Sequence, residues 1–243
     1  MKYGICLLSV IPVRAENSDK SEIITQILFG EILTIISEKK NWIKIQLSYD
    51  NYTGWIDPKQ IKEIDKKLAL LNIQNQQYLN EGTTTINGIT KKLSYASILP
   101  IKQITDLYKI SIQSPTITSP VLIDVAKRYL GTPYLWGGKS DYGIDCSGFT
   151  QQVFKVCGIK LPRDAYQQAQ LGEPIQTQNS QAGDLAFFEN KDGRIIHVGI
   201  ILKNQEIIHA HGEIKINKLD NKGILSDDLS GYSHQLSLIR RVK

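Results

Sequence analysis

The chain is poor in cysteine: Cys6, Cys146 and Cys157 are the only three among 243 residues, an odd number at no metal-like spacing. That count and spacing fit neither a disulfide framework nor a cysteine-built zinc site, and a reducing compartment is the expectation. An excess of one charge is lacking as well. The 29 Lys and Arg against 24 Asp and Glu leave a net charge of +5, with no block of like charges, so neither nucleic acid nor an anionic membrane is an expected partner. No segment approaches the roughly 20 apolar residues of a membrane span. The opening "MKYGICLLSVIPVRAE" carries one lysine, an apolar run broken by Pro12 and Arg14, and no clear small-residue cleavage site. It reads as a first strand rather than a secretion signal, and a cytoplasmic location is expected. What is present is ordinary for a globular protein, 41% hydrophobic and 22% charged residues, enough for one large domain or two small ones, each with its own core.

Between Ile24 and Ile56 the pattern alternates with period two, as in "WIKIQLSY", where Ile43, Ile45 and Leu47 face one way and Lys44, Gln46 and Ser48 the other. Short strands separated by "FGE", "EKKN" and "SYDNYTGW" predict a small antiparallel barrel over residues 1–66. Residues 67–112 have β character and a turn signal at Asn87-Gly88, and form either an extension of that barrel or a second, partial one. The Pro- and Ser-bearing stretch 113–120 reads as a linker. Residues 121–243 change character. "VLIDVAKRYLG" and "CSGFTQQVFKVCG" are helical and end in Gly131 and Gly158; "GDLAFFEN", "IIHVGIIL" and "EIIHAHG" are strand-like. Helices followed by a meandering antiparallel sheet give an α+β class.

Asp145 stands where it would cap the second helix, which places Cys146 in the first turn, where free backbone N–H groups favour a thiolate. A thiol so placed needs a base, and the chain has four histidines, His197, His209, His211 and His234. Three fall in two neighbouring strands. A three-residue loop, Lys203 to Gln205, pairs Leu202 with Glu206 and sets His209 opposite Gly199, so that His209 becomes a diagonal neighbour of His197. Spacing leaves open whether His209 or His211 orients His197. His234 has no argument beyond ordinary packing, Cys6 and Cys157 read as apolar filling, and Arg163 as a solvated charge. Trp55 and Trp136 read as core or cleft-wall packing.

"DCSGF", "HVGII" and "IIHA", following "GTPYLWGG", resemble the NlpC/P60 family of cysteine peptidases, with a papain-like core, over Val121 to Lys243. "FGE" and "YTGWI" resemble the bacterial SH3-like (SH3b) domain that precedes it in many members. The resemblance implies a γ-D-glutamyl-diamino acid endopeptidase acting on cell-wall peptides, with Cys146 as nucleophile, His197 as base, His209 as the third, orienting residue, and Tyr134 beside the oxyanion. It further implies substrate contacts from Asp145, Ser147 and Asp164, with Ala165 where the family often has serine, and from Glu31 and Tyr52 of the SH3b part. Members of this arrangement act on peptides with a free N-terminal L-alanine, so the expected substrate is a free stem peptide, L-Ala-γ-D-Glu-diamino acid, met during cell-wall recycling. No metal or cofactor is implied, and a monomer is expected. The rival readings are an amidase or acyltransferase on the same scaffold and a non-catalytic wall-binding scaffold. Labelling of Cys146 by iodoacetamide ahead of Cys6 and Cys157 is the expected mark of a depressed thiol pKa.

Overall fold

The structure, a computed structural model, describes residues 2–225 and 231–243, and the chain passes three times between two units. One is Met1–Thr118 with Trp136–Tyr142; the other is Ser119–Leu135 with Gly143–Lys243.

In the first unit the alternating apolar residues become β1 (Lys2–Cys6), β2 (Val10–Arg14), β3 (Ile23–Leu28), β4 (Ile32–Lys39), β5 (Trp42–Leu47), β6 (Thr53–Ile56) and β7 (Ile61–Ile64). They form one antiparallel sheet in the order β3-β2-β6-β5-β4-β1-β7. The expected first strand is thus two strands. Ile43, Ile45 and Leu47 turn inward as the alternation requires and pack with Ile11, Val13, Ile27 and Leu33.

Residues 67–112 contain more helix than their sequence suggested. Helix α1 (Lys66–Gln74) starts at Asp65, whose side chain accepts from Lys67 N–H, and buries only Ala69 and Asn72, so it shows little apolar periodicity. Strands β8 (Gly82–Ile86) and β9 (Ile89–Leu93), then α2 (Lys102–Tyr108) and β10 (Ile110–Gln113), give a separate sheet ordered β10-β8-β9. The turn at Asn87-Gly88 is present, with Ile86 opposite Ile89 and φ of 50° and 78° at its two residues, the left-handed pair that a two-residue hairpin turn needs. Ala69, Leu79, Leu93 and Ile104 share one apolar cluster with Ile5, Phe29, Ile32 and Ile64 of the barrel strands and their turns. This region is therefore an extension on the barrel, with a common core. The unit also holds β11 (Lys139–Ser140), which runs against β3. The boundary at Thr118 falls inside the expected linker, although Gln113 still belongs to β10.

The second unit begins with α3 (Leu122–Lys127) and β12 (Gly143–Ile144), followed by α4 (Cys146–Val156), α5 (Ala165–Gln168) and β13 (Glu173–Ile175). Then come β14 (Leu185–Glu189), β15 (Ile195–Ile201), β16 (Glu206–His211), β17 (Glu213–Leu219), β18 (Gly223–Leu225) and β19 (Tyr232–Arg241). The sheet order is β13-β19-β14-β15-β16-β17-β18, and β19 also pairs with β18. Helix α4 is buried along its whole length and packs on β15 and β16. The α+β class holds, and the sheet is longer than the three strands read from sequence.

Candidate active site

Cys146 opens α4. Asp145 precedes it in extended conformation, and its Oδ1 accepts the Gly148 N–H at 2.6 Å, as an N-cap should. The same carboxylate is gripped by Arg163, whose two terminal nitrogens lie 3.0 and 2.6 Å from Oδ1 and Oδ2. Arg163 also donates to Ser147 Oγ at 3.0 Å. Arg163 is 2% exposed, so its reading as a solvated charge is corrected: a buried carboxylate next to the nucleophile requires a buried cation. Asp145 and Ser147 thus stand beside Cys146 with their polar atoms engaged by one another and by Arg163.

Burial decides the state of the thiol. Burial, with the Asp145 carboxylate adding to it, pushes Cys146 up to about 12, against the opposing pull of the Val198 N–H, Arg163 and the Ser147 N–H. The expected depression by the helix start is overturned, because loss of solvent outweighs the positive dipole end. At neutral pH the resting group is a thiol, and the most accessible of the three cysteines is Cys157.

The contact with Val198 sets Cys146 beside β15, where His197 is the preceding residue. The hairpin β15–β16 has the register that its three-residue loop implies, with Gly199 opposite His209 and Leu202 N–H donating to Glu206 at 2.7 Å. A Cβ at Gly199 would stand 2.9 Å from the His209 Cβ, so only glycine admits that side chain. His197 Nε2 lies 2.9 Å from His209 Nδ1, and His209 Nε2 lies 3.1 Å from Oδ1 of Asn217 on β17. The two rings and the amide form a diagonal row across three strands, since His209 is opposite Lys215 on β17. His211 is exposed, with its ring centroid 6.0 Å from that of His209.

His234, given no role by its sequence context, stacks on His197 with centroids 4.2 Å apart and planes at 26°. It arrives because β19 returns to pair with β14, a connection with no local sequence signal. Burial and the neighbouring rings hold His197 well below the usual histidine range, and His209 and His234 are brought down to about 3 and about 4, in each case chiefly by burial. His197, His209 and His234 bring ligand atoms within 4.8 Å of one another. Yet the His197 and His234 rings are stacked, and Nε2 of His197 and Nδ1 of His209 already bond to each other. The geometry suits proton sharing better than metal coordination.

Tyr134 is tied by its N–H to Gly212 at 2.8 Å and bridges to Ile144, and it senses the charges of Cys146 and Asp145. Burial and those two groups push its hydroxyl up to about 12, so it remains an O–H donor at neutral pH. Asp164 stands at the N-cap of α5, and its N–H donates to Gln167 Oε1 at 3.3 Å. In the first unit, Glu31 lies in the turn between β3 and β4 and is 4% exposed; it accepts the Leu28 N–H at 2.9 Å and is ion-paired with Lys139 Nζ at 3.1 Å. Tyr52 is half-buried against the barrel core. Trp136 is 63% exposed, which removes it from the core, and its indole N–H donates to Glu22. The missed residues Arg163, Asn217 and Lys139 carry no motif; only the register of β17 and the partner demands of buried acids could have pointed to them.

A buried thiol at a helix start, touching the strand that carries the bonded histidine, is the arrangement that the resemblance to a cysteine peptidase implies. A profile of the NlpC/P60 family matches residues 131–231, and one for the bacterial dipeptidyl-peptidase Sh3 domain matches residues 13–61. A Bacillus subtilis γ-D-glutamyl-L-lysine dipeptidyl-peptidase is 30% identical over 76% of this chain and 71% of its own length. A Bacillus cereus protein of the same name is 28% identical over 87% and 74%. The crystal structure of a Bacillus cereus NlpC/P60 family protein superposes with a TM-score of 0.78 at 21% identity, covering 98% of this chain and 99% of the other. The chain belongs to the NlpC/P60 family and is a peptidase with an N-terminal bacterial SH3 domain.

Proposed function

We propose that the enzyme hydrolyses the γ-D-glutamyl bond to a diamino acid in murein stem peptides that carry a free N-terminal L-alanine, releasing L-Ala-D-Glu. The observation that carries the reading is Cys146 beside Val198 N–H, with His197 bonded to His209 at 2.9 Å. The names of the two Bacillus relatives support the bond and the dipeptide product. On substrate binding His197 takes the Cys146 proton, and the sulfur attacks the γ-carbonyl. The oxyanion receives the Tyr134 O–H and the N–H of Cys146, in a site where neutral donors are strong because water is excluded. His197, now an imidazolium, protonates the departing amine. Water then gives a proton to His197 and a hydroxyl to the thioester carbon, freeing the thiol. Asp145, Ser147 and Asp164 supply the polar groups that meet the peptide. The enzyme acts as a cytoplasmic monomer on recycled fragments.

The test is mass spectrometry of L-Ala-γ-D-Glu-diaminopimelate, its lysine counterpart and their N-acetylated twins, incubated with wild type and Cys146→Ala. Release of L-Ala-D-Glu from free peptides alone, by wild type alone, is expected. Equal cleavage of the acetylated peptides would remove the amine requirement. No cleavage of any would move the assignment to an amidase or a scaffold.

A further inference from the structure

We propose that Asn217 is a positioning residue that fixes the protons of both histidines, so that His197 presents a bare Nδ1 to the nucleophile. The proposal rests on the reading of Cys146 as nucleophile and His197 as base.

The argument follows the diagonal row. An amide oxygen can only accept, so at 3.1 Å from Oδ1 the Nε2 of His209 must carry a proton. A neutral imidazole has one proton, and His209 Nδ1 is then a lone pair. That lone pair faces His197 Nε2 at 2.9 Å, which must therefore be the protonated nitrogen of His197. The remaining nitrogen of His197, Nδ1, is left unprotonated, the state a general base requires. Reversal of the His209 tautomer would aim a lone pair at the Asn217 oxygen and a proton at His197. His197 would then carry its proton on Nδ1 and could not take one from the thiol.

The group that fills this place is an amide, and no carboxylate among the described residues bonds to His209. The groups acting on His209 and His197 from the packed elements are His211 on β16, Lys215 on β17 and His234 on β19. Cys146 and Asp145 stand at the start of α4, and Arg163 in the connection from α4 to α5. Every one of the charges nearest His209 opposes its protonation; only the bond to Asn217 favours it. Asn217 is 6% exposed, so water does not replace its oxygen. This combination orders the protons without stabilising a charge in a buried site.

The first measurement needs no variant: ¹⁵N-edited NMR of the imidazoles in the wild-type chain, assigned with His209→Gln. A proton on Nε2 of both His209 and His197 is expected, and a proton on Nδ1 of His209 overturns the proposal. Kinetics on the tripeptide give the second readout. Asn217→Leu, which keeps the volume and loses the acceptor, should lower kcat about 10- to 100-fold with KM little changed. Asn217→Asp should restore most of kcat and move the acid limb of the pH profile upward, because a carboxylate raises the basicity of the pair. Undiminished kcat in Asn217→Leu, or an Asn217→Asp enzyme no better than it, overturns the assignment. If the wild type cleaves no stem peptide, the function reading fails alone, and the proton positions in the spectrum still decide the role of Asn217.

Discussion

Burial sets the chemistry of single residues here more than sequence neighbours do. Cys146 sits where a helix start favours the thiolate, yet the surrounding protein keeps it a thiol, because desolvation of a charge outweighs a terminal dipole worth at most about 2 kcal/mol. The histidines follow the same rule with the opposite sign. His197 and His209 are held neutral below the ordinary value of 6.5, so as pH falls the unfolded chain takes up protons before the folded one does. Their contribution to stability is complete above the unfolded value and is lost towards acid, by up to about 1.4 kcal/mol per pH unit for each ring. Urea unfolding at pH 7.5 and 5.5 should show a lower midpoint at the acid pH for the wild type and a smaller drop for His209→Gln. An unchanged or rising midpoint would mean that the rings are protonated in the native state. At this scale the sequence was informative about which residues meet, since His197 bonds to His209 and Cys146 touches Val198, the residue after His197. It was silent on their charge, because burial is a property of the packed molecule.

Among the elements, the hairpin β15–β16 illustrates how much a loop length decides. Three residues between Leu202 and Glu206 fix the register, and the register fixes that His209 is the ring reaching His197. Gly199 completes the device. Gly199→Ala would place a Cβ 2.9 Å from that of His209 and 2.7 Å from Ile207 Cδ1, which forces the strands or the ring to shift. The expected result is a loss of about 1–3 kcal/mol in urea unfolding, together with a fall in kcat larger than any rise in KM. A variant with wild-type turnover would show that the spacing has slack. Strands with period-two patterns were legible, as was the Asn87-Gly88 turn. Helices α1 and α2 were not, because α1 buries only Ala69 and Asn72 and α2 only Ile104, leaving no apolar stripe to read. Strand β19 was missed for another reason: its partners β14 and β18 are fixed by the closing of the sheet, and its own residues alternate weakly between buried and exposed.

For the whole molecule, the informative feature is the repeated crossing of the chain between its units, after Thr118, Leu135 and Tyr142. Trp136–Tyr142 lies inside the stretch matched by the peptidase profile and yet belongs to the first unit. Within that unit Lys139 is fully buried, its Nζ 3.1 Å from Glu31 and its N–H donating to Gln26 Oε1 at 2.7 Å, while Asp141 bonds to Ser94. Lys139→Met deprives a buried carboxylate of its cation and should cost about 3–5 kcal/mol in unfolding free energy. The double variant Lys139→Met with Glu31→Leu should recover most of that loss. A single variant as stable as the wild type would show that the pair is not desolvated. No linear reading places the boundary correctly, since a linker rich in Pro and Ser marks only the first crossing. A recombination point at that linker, in the laboratory or in a lineage, would separate Lys139 from Glu31 even though it leaves every motif of both halves intact. A chimera between relatives that keeps each unit whole therefore needs two further junctions, after Leu135 and after Tyr142.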